Sequence, residues 1–474
     1  MSEALNWMRA RYLRLPPTGK RILAPVLQLL PFSYRFGSTY RAVRADVERS
    51  RDDPDFVRRA RLDAYRALMG RAQRTRYYGG LLSGIYGPTL NPSEVELGDI
   101  SRLPVLNKAD LVSDPEAFLS AATGTYEVRN TSGSSGRPPA QIFLSRGHGV
   151  REIAFLHAIW ARIGFELGDT RAILRDYAGN LPTDGSRMRY DPAMRELWFS
   201  PFHLTEDAMA TYLAALHEHQ VKFLYGYPSA LAILSRYAAL RKWRKPQQLR
   251  GVMAASERLL PEQRQVISET FDVPITSHYG MSERVALAGE LAGNPGVYEF
   301  EPLYGLVELL DEENRPVTTP GRSGRIICTG FVNHATALLR YEVGDRGTLV
   351  QNGTHENCYR LQLADIESKW SSDSLIGAEG QEIAAVGLDQ ENYVGIFREY
   401  QFVQWEPGKV VVRVVPYAGV KPEEVDRVLE PARRRTLGAL TFRPEIVDEI
   451  PVGRTGKRQL VDQRITPLEN QADT

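Results

Sequence analysis

Between residues 150 and 271, short apolar runs alternate with amphipathic stretches. This alternation constrains the fold more than any other feature of the chain. Val150 to Ile163 has helical period, Arg171 to Leu174 reads as a strand, and Asp207 to His219 as a helix. Lys222 to Tyr225 is strand-like, Ser229 to Arg241 helical, Leu249 to Ala254 strand-like and Pro261 to Phe271 helical. Repeated strand–helix units are satisfied by parallel strands, because parallel neighbours need a crossover and a helix supplies it. Near residue 295 the pattern changes. Val297 to Glu301, Leu306 to Leu310, Gly324 to Thr329 and Gly347 to Val350 look like strands joined by tight Gly/Pro turns. A last block, from about Ile366, holds strands at Tyr400–Trp405 and Val410–Val415, a helix at Pro422–Leu437 and a basic tail. The predicted class is α/β. A large N-terminal domain (1–365) of mixed β-sheets packed with helices, opening with a helical leader (1–80), precedes a small α+β C-terminal domain (366–474).

Within the leader, Val43, Val47, Phe56, Ala60, Leu62, Tyr65 and Leu68 recur at helical spacing and predict a helix over 41–74. Gly79, Gly80, Gly84 and Pro88 predict a break after Tyr77. The string LPVLNKADL (Leu103 to Leu111) reads as a short strand entering a helix. The apolar run Ile22 to Phe32 is about half the ~20 residues a spanning helix needs, and it holds Pro25 and Pro31. It follows Arg9, Arg11, Arg14, Lys20 and Arg21 but lacks the small-residue cleavage site of an export signal. No integral membrane segment is expected. The run is either a helix packing on the main domain or a basic amphipathic segment touching a membrane surface.

Lys+Arg 59 against Asp+Glu 58 leaves a net charge of +1, without the basic excess of a nucleic-acid binder. Two cysteines cannot make a disulfide framework, so a reducing, cytoplasmic compartment fits.

Three clusters carry chemistry. Asn130 to Pro138, NTSGSSGRP, packs four hydroxyls and two glycines into Thr131, Ser132, Gly133, Ser134, Ser135 and Gly136. Glycines let backbone N–H groups turn toward an anion and hydroxyls add donors, which suits a phosphate-gripping loop; a plain solvated turn is the alternative. It is not a Walker A loop, which needs four residues between its glycines and a Lys-Ser/Thr pair. His278, Tyr279, Gly280, Met281, Ser282 and Glu283 follow the apolar run Val273 to Ile275. They read as a ligand edge in which Glu283 holds a divalent cation, or as a surface turn. Asp345, in Arg340-Tyr341-Glu342-Val343-Gly344-Asp345, could accept from vicinal ribose hydroxyls or sit in an ordinary hairpin.

These clusters occur in order, with Lys457 in the basic turn RTGKRQL. Together they resemble the adenylate-forming superfamily of acyl-CoA synthetases, adenylation domains and luciferases, over residues 100–460. LPVLNKADL, LYGYPSAL and ALLRYEVGDRG resemble its phenylacetate-CoA ligase-like branch, and LLPFSYRFGSTYRAVR and WFSPFHLT resemble members from polysaccharide gene clusters.

The resemblance implies ATP-dependent activation of a small-molecule carboxylic acid to an acyl-adenylate, with pyrophosphate release and Mg²⁺. Acyl transfer to coenzyme A, to an amine or to a carrier would follow. A nucleotide-binding member without catalysis is the remaining alternative, and a homodimer is allowed. Carried over, Thr131 to Gly136 would grip phosphates, Tyr279 would pack on adenine, and His278, Gly280 and Ser282 would complete that motif. Glu283 would bind Mg²⁺ and Asp345 the ribose. Ala254, Ala255, Ser256 and Glu257 would line the adenine and acyl pocket. Tyr225 and Tyr227, flanking Gly226 before Pro228, either line the acyl pocket or pack in the core, and His203 either faces the substrate or packs or caps locally. Lys457, on a mobile C-terminal lid, would bridge the acyl carboxylate and α-phosphate.

Two departures stand out. Pro138 is followed by Pro139 where a lysine or threonine is usual, and Ser368-Lys369 stands where the branch carries Gly-Arg at its hinge. Lysine lacks arginine's planar fork, so the hinge contact of Lys369 and thioester formation are in question. Cys328, His334, His355 and Cys358 are poorly spaced for a zinc module, and no zinc is expected.

Overall fold

The computed structural model describes residues 12, 15, 17–88, 90–122, 124–130, 141–175, 187–202, 204–367, 374–385, 388, 393, 396–417, 419–450 and 461–465. Its strands are β1 (Tyr126–Asn130), β2 (Gln141–Ser145), β3 (Arg171–Leu174), β4 (Met188–Asp191), β5 (Glu196–Phe199), β6 (Phe223–Gly226) and β7 (Gly251–Ala255). There follow β8 (Ile275–Gly280), β9 (Leu287–Leu291), β10 (Asn294–Phe300), β11 (Gly305–Leu310), β12 (Ser323–Gly330), β13 (Tyr341–Gln351) and β14 (Gln362–Glu367). The C-terminal strands are β15 (Ser374–Ile376), β16 (Glu382–Ala384), β17 (Phe397–Glu406), β18 (Lys409–Pro416), β19 (Thr441–Ile446) and β20 (Val461–Gln463).

Twelve strands form one sheet in the order β11-β12-β13-β14-β10-β9-β8-β7-β6-β3-β5-β4. From β5 through β3, β6 and β7 to β8 every pairing is parallel. At β9 the direction reverses, and all pairings from there to β11 are antiparallel. The parallel half is the strand–helix region of the sequence. Its crossover helices start where the sequence directs: Thr205 caps Glu206–Glu218 by accepting from the Ala208 amide at 3.3 Å, and Pro228 and Pro261 open the next two. Strand alternation divides the apolar residues between the two faces. Ala172, Leu174, Leu224 and Val252 meet Leu213, Leu231, Leu234 and Phe271 on one face. Ile173, Phe223 and Met253 meet Phe155, Ile159 and Trp160 of the helix His148–Trp160 on the other.

The smaller C-terminal part is a four-stranded sheet, β19-β18-β17-β20. Val425, Leu429 and Ala432 cover Phe402, Val410, Val412 and Val414, and Phe202 of the large part enters the same core. The large mixed part and small α+β part match the class read from the sequence.

Local differences have local causes. The helix expected over 41–74 is two helices, Gly37–Arg49 and Pro54–Ala72. Asp53 breaks it by accepting from the Phe56 amide at 2.8 Å, and Pro54 can only begin a helix. The expected break after Tyr77 is absent: Arg76–Tyr86 is helical through Gly79, Gly80 and Gly84. Thr75 caps it at the Tyr78 amide (3.2 Å), and Tyr78 and Leu82 bury one face, which outweighs the glycine penalty of ~1 kcal/mol each. Of LPVL, only Leu106 pairs, as a parallel bridge to Tyr341, before the helix Lys108–Ser113. The helix expected over 422–437 divides into Pro422–Val428 and Glu430–Thr436, the second with a proline in its first turn.

Candidate active site

In parallel α/β sheets ligands bind beyond the carboxyl ends of the strands. Here β6 runs into Tyr227 and Pro228, β7 into Ser256 and Glu257, and β8 into Met281, Ser282 and Glu283. Register sets Gly226 beside Ala254, Ala254 beside Ser277, and Ala255 beside His278. A Cβ on Gly226 would lie 2.6 Å from the Leu174 carbonyl oxygen, so a side chain there would push β3 and β6 apart. Ser256 has φ 72°, a left-handed backbone rare outside glycine and commonest at functional turns. Glu257 accepts from the Ser229 amide (3.0 Å) and hydroxyl (3.1 Å), setting its charge at the N-terminus of the helix Pro228–Leu240.

Two of the three sequence clusters meet at this edge. The Tyr279 hydroxyl donates to Asp345 Oδ2 at 2.8 Å, although 66 residues separate them. The Tyr279 ring stands edge-on to Phe300 at 5.8 Å. Glu283 is buried, and its Oε1 accepts from the Tyr341 hydroxyl at 3.0 Å. Its Oε2 has no hydrogen-bond partner among the described residues. Burial, then the neighbouring carboxylates, raise both phenols well above the usual tyrosine range, so both stay protonated donors. Cys328, opposite Tyr341 across β12 and β13, has its thiol raised by burial and then by Asp345.

Behind Glu283, Arg284 has φ 59° and pairs with Glu152, which also accepts from Tyr304. The β1–β2 hairpin frames residues 131–140. Its second strand is pinned where Phe143 N donates to Thr336 (3.0 Å) and Ser145 N to Asn333 (3.0 Å).

On the β3 side, Arg175 donates to the Tyr225 hydroxyl and lies 5.7 Å from the Tyr227 ring centre. Tyr225 packs between Trp160 (4.8 Å) and His278 (6.1 Å). Burial, then Arg175 and Arg284, hold the His278 imidazole down to about 3, so it is neutral at physiological pH. Burial likewise holds His148 and His334 at about 4. Unfolded imidazoles titrate near 6.5, so between about pH 4 and 6.5 the unfolded chain binds more protons and stability must fall as pH falls. At pH 5 each of these histidines costs up to ~2 kcal/mol. The urea midpoint is therefore expected to drop clearly between pH 7 and pH 5; an unchanged midpoint would refute the buried neutral imidazoles.

Ala254 and Ala255 are fully covered, on opposite faces of β7; Tyr227 and Pro228 are buried, while Gly280 at the end of β8 and Ser282 in the turn after it are exposed. Thr131 to Gly136, His203, Lys369 and Lys457 lie outside the described residues. Cys328 is in β12, His355 contacts Asp55 at 3.4 Å, and Cys358 donates to the Arg51 carbonyl at 3.3 Å. With His334 they form no metal-binding group among the described residues. Sequence reading passed over Arg175, Tyr341 as the Glu283 donor, and Glu152. Arg175 carried a legible signal, a charged residue at the carboxyl end of a strand.

No protein-family model matches the chain. It is 23% identical over 396 residues to protein CapK of Staphylococcus aureus, spanning 79% of this chain and 83% of that one. Among solved structures it superimposes on 2-hydroxyisobutyryl-CoA ligase in the postadenylation state with R3-HIB-AMP. The TM-score is 0.53 at 18% identity, over 87% of this chain and 91% of the ligase. The same ligase with 2-HIB-AMP and CoA, in the thioesterification state, gives a TM-score of 0.53 at 16% identity, over 88% and 92%. The fold is that of the adenylate-forming enzymes. The particular structure it shares is that of an acyl-CoA ligase, along nearly the whole length of both chains.

Proposed function

We propose that the chain activates a carboxylic acid with ATP, forming an acyl-adenylate and releasing pyrophosphate, and then passes the acyl group to coenzyme A. The observation that carries this reading is the Tyr279–Asp345 hydrogen bond beside the buried Glu283, at the carboxyl edge of β8. In the proposal Asp345 binds the ribose hydroxyls while Tyr279 holds it in place and packs on adenine. Glu283 fits Mg²⁺: it is a hard oxygen ligand with one oxygen held by Tyr341 and the other without a hydrogen-bond partner among the described residues. Bound there, Mg²⁺ would neutralise phosphate charge. Thr131 to Gly136 would grip the phosphates and Lys457 the developing charge at the α-phosphorus. Tyr225, Tyr227 and His278 form the acyl side, where His278 is neutral and the cation Arg175 is held against the two phenol rings. No protein nucleophile is required, because the substrate carboxylate attacks.

The test is a panel of carboxylic acids in a pyrophosphate-release assay, with and without coenzyme A. Acid-dependent release is expected, with thioester formed only when coenzyme A is present. Adenylate that is consumed by an amine or a carrier instead would move the acceptor to those classes. No release with any acid would overturn the reading.

A variant isolates the ribose contact. Asp345→Ala removes a charge-assisted acceptor worth ~1.5–3 kcal/mol, so ATP affinity should fall by roughly one to two decades. Calorimetry giving wild-type affinity would remove Asp345 from the nucleotide site.

A further inference from the structure

We infer that the helix Pro17–Gln28 carries an exposed face that rests on an anionic lipid surface. The helix is apolar on two sides. Inward, Ala24 and Leu27 pack with Phe36, Tyr40, Ala154 and Met194, and the buried Lys20 pairs with Asp191 at 3.3 Å. Outward, Ile22 is 75% exposed, Val26 54% and the following Leu29 84%, with Leu23 alongside. Spacings of four and three align them in one stripe. A helix apolar all round is normally covered on every side, so an outward stripe of this kind marks a surface that meets something. Next to it stands Tyr34, also exposed, with the Arg41 guanidinium 4.1 Å from its ring centre. Such amphipathic aromatic–cation tips suit a membrane–water boundary.

Charge says which surface. Residues 1–45 hold eight Lys or Arg against a single acid, Glu3. The whole chain is only +1, so the remainder is net negative while the stretch that carries the stripe is strongly basic. Lys20 and Arg35 are turned inward, Arg35 onto the carbonyls of Gln28 and Leu30. Arg44 is mostly covered and paired with Glu48, and Arg9, Arg11, Arg14, Arg21 and Arg41 supply the rest of the charge. Polybasic segments are drawn to anionic leaflets, and a short apolar stripe then inserts at the headgroup boundary. No helix among the described residues is long and apolar enough to cross a membrane, so the contact is peripheral. A second copy fits less well. Two such basic segments repel, and this stripe is far smaller than the ~20–30 residues a side of a stable interface.

Sedimentation of the full chain with phosphatidylcholine vesicles, with and without phosphatidylglycerol, tests the inference. Binding to the phosphatidylglycerol vesicles is expected, with loss at ~1 M NaCl, where the Debye length is ~3 Å. The double variant Ile22→Ser/Leu29→Ser, both exposed and therefore neutral for folding, should partition at least about tenfold more weakly at unchanged melting temperature. Equal sedimentation with and without anionic vesicles, or wild-type binding by the double variant, would overturn it. So would a dimer, seen by light scattering, that the same variant dissolves, because the stripe would then belong to a second copy. The readout is independent of adenylation.

Discussion

Replacing Lys457 with alanine should lower acid-dependent pyrophosphate release by about 10²–10³, while leaving turnover of a supplied acyl-adenylate near wild type. The argument is electrostatic. As the carboxylate attacks, negative charge concentrates on the α-phosphate oxygens, and an ammonium placed there stabilises the transition state more than the ground state. One such contact is worth ~3–4 kcal/mol. The second half-reaction starts from an adenylate already made, and the resemblance to adenylate-forming enzymes implies that the C-terminal part then carries the lysine away. Single-turnover assays of the two halves separate the cases. Equal losses in both halves would make Lys457 a general structural residue; no loss in either would leave it an ordinary basic turn.

Glu283→Gln should be nearly as damaging and cleaner to read. Glutamine keeps the shape and can still accept from Tyr341, but it removes the charge. The protein should keep its fold, because the Tyr341 contact is retained. Half-saturation by Mg²⁺ should move up by at least about tenfold, the value of one lost charge-assisted contact. A magnesium titration at saturating ATP, with a thermal melt as control, checks it. A wild-type titration curve would remove Glu283 from the metal site.

Legibility followed the range of the interaction. Pro261–Phe271 was readable to the residue because its signals, a leading proline and an apolar repeat, are local. The Asp53–Pro54 break was equally local but hidden inside a continuous repeat, and Arg76–Tyr86 defied its glycines because burial of Tyr78 and Leu82 is a tertiary effect. In the candidate site, Tyr279, Glu283 and Asp345 were visible as motif residues. What holds them was not: the Tyr341–Glu283 and Glu152–Arg284 contacts join positions 58 and 132 apart, and only tertiary packing brings them together. Glu257 illustrates the reverse. Its motif named it as a pocket residue, and the structure adds that its carboxylate holds the start of the helix Pro228–Leu240.

The reversal of strand direction between β8 and β9 has a consequence for how such a chain can be altered. In the proposed site the residues facing the acid, Tyr225 and Tyr227, come from the region before that line, and the ribose aspartate comes from β13 beyond it. Tyr279, on β8 itself, is the hinge pin between the two inventories. In that proposed arrangement, substitutions at Tyr225 and Tyr227 re-specify the cargo while Tyr279, Glu283 and Asp345 stay fixed, whereas exchange of the whole segment before residue 275 would also replace the phosphate loop Thr131 to Gly136.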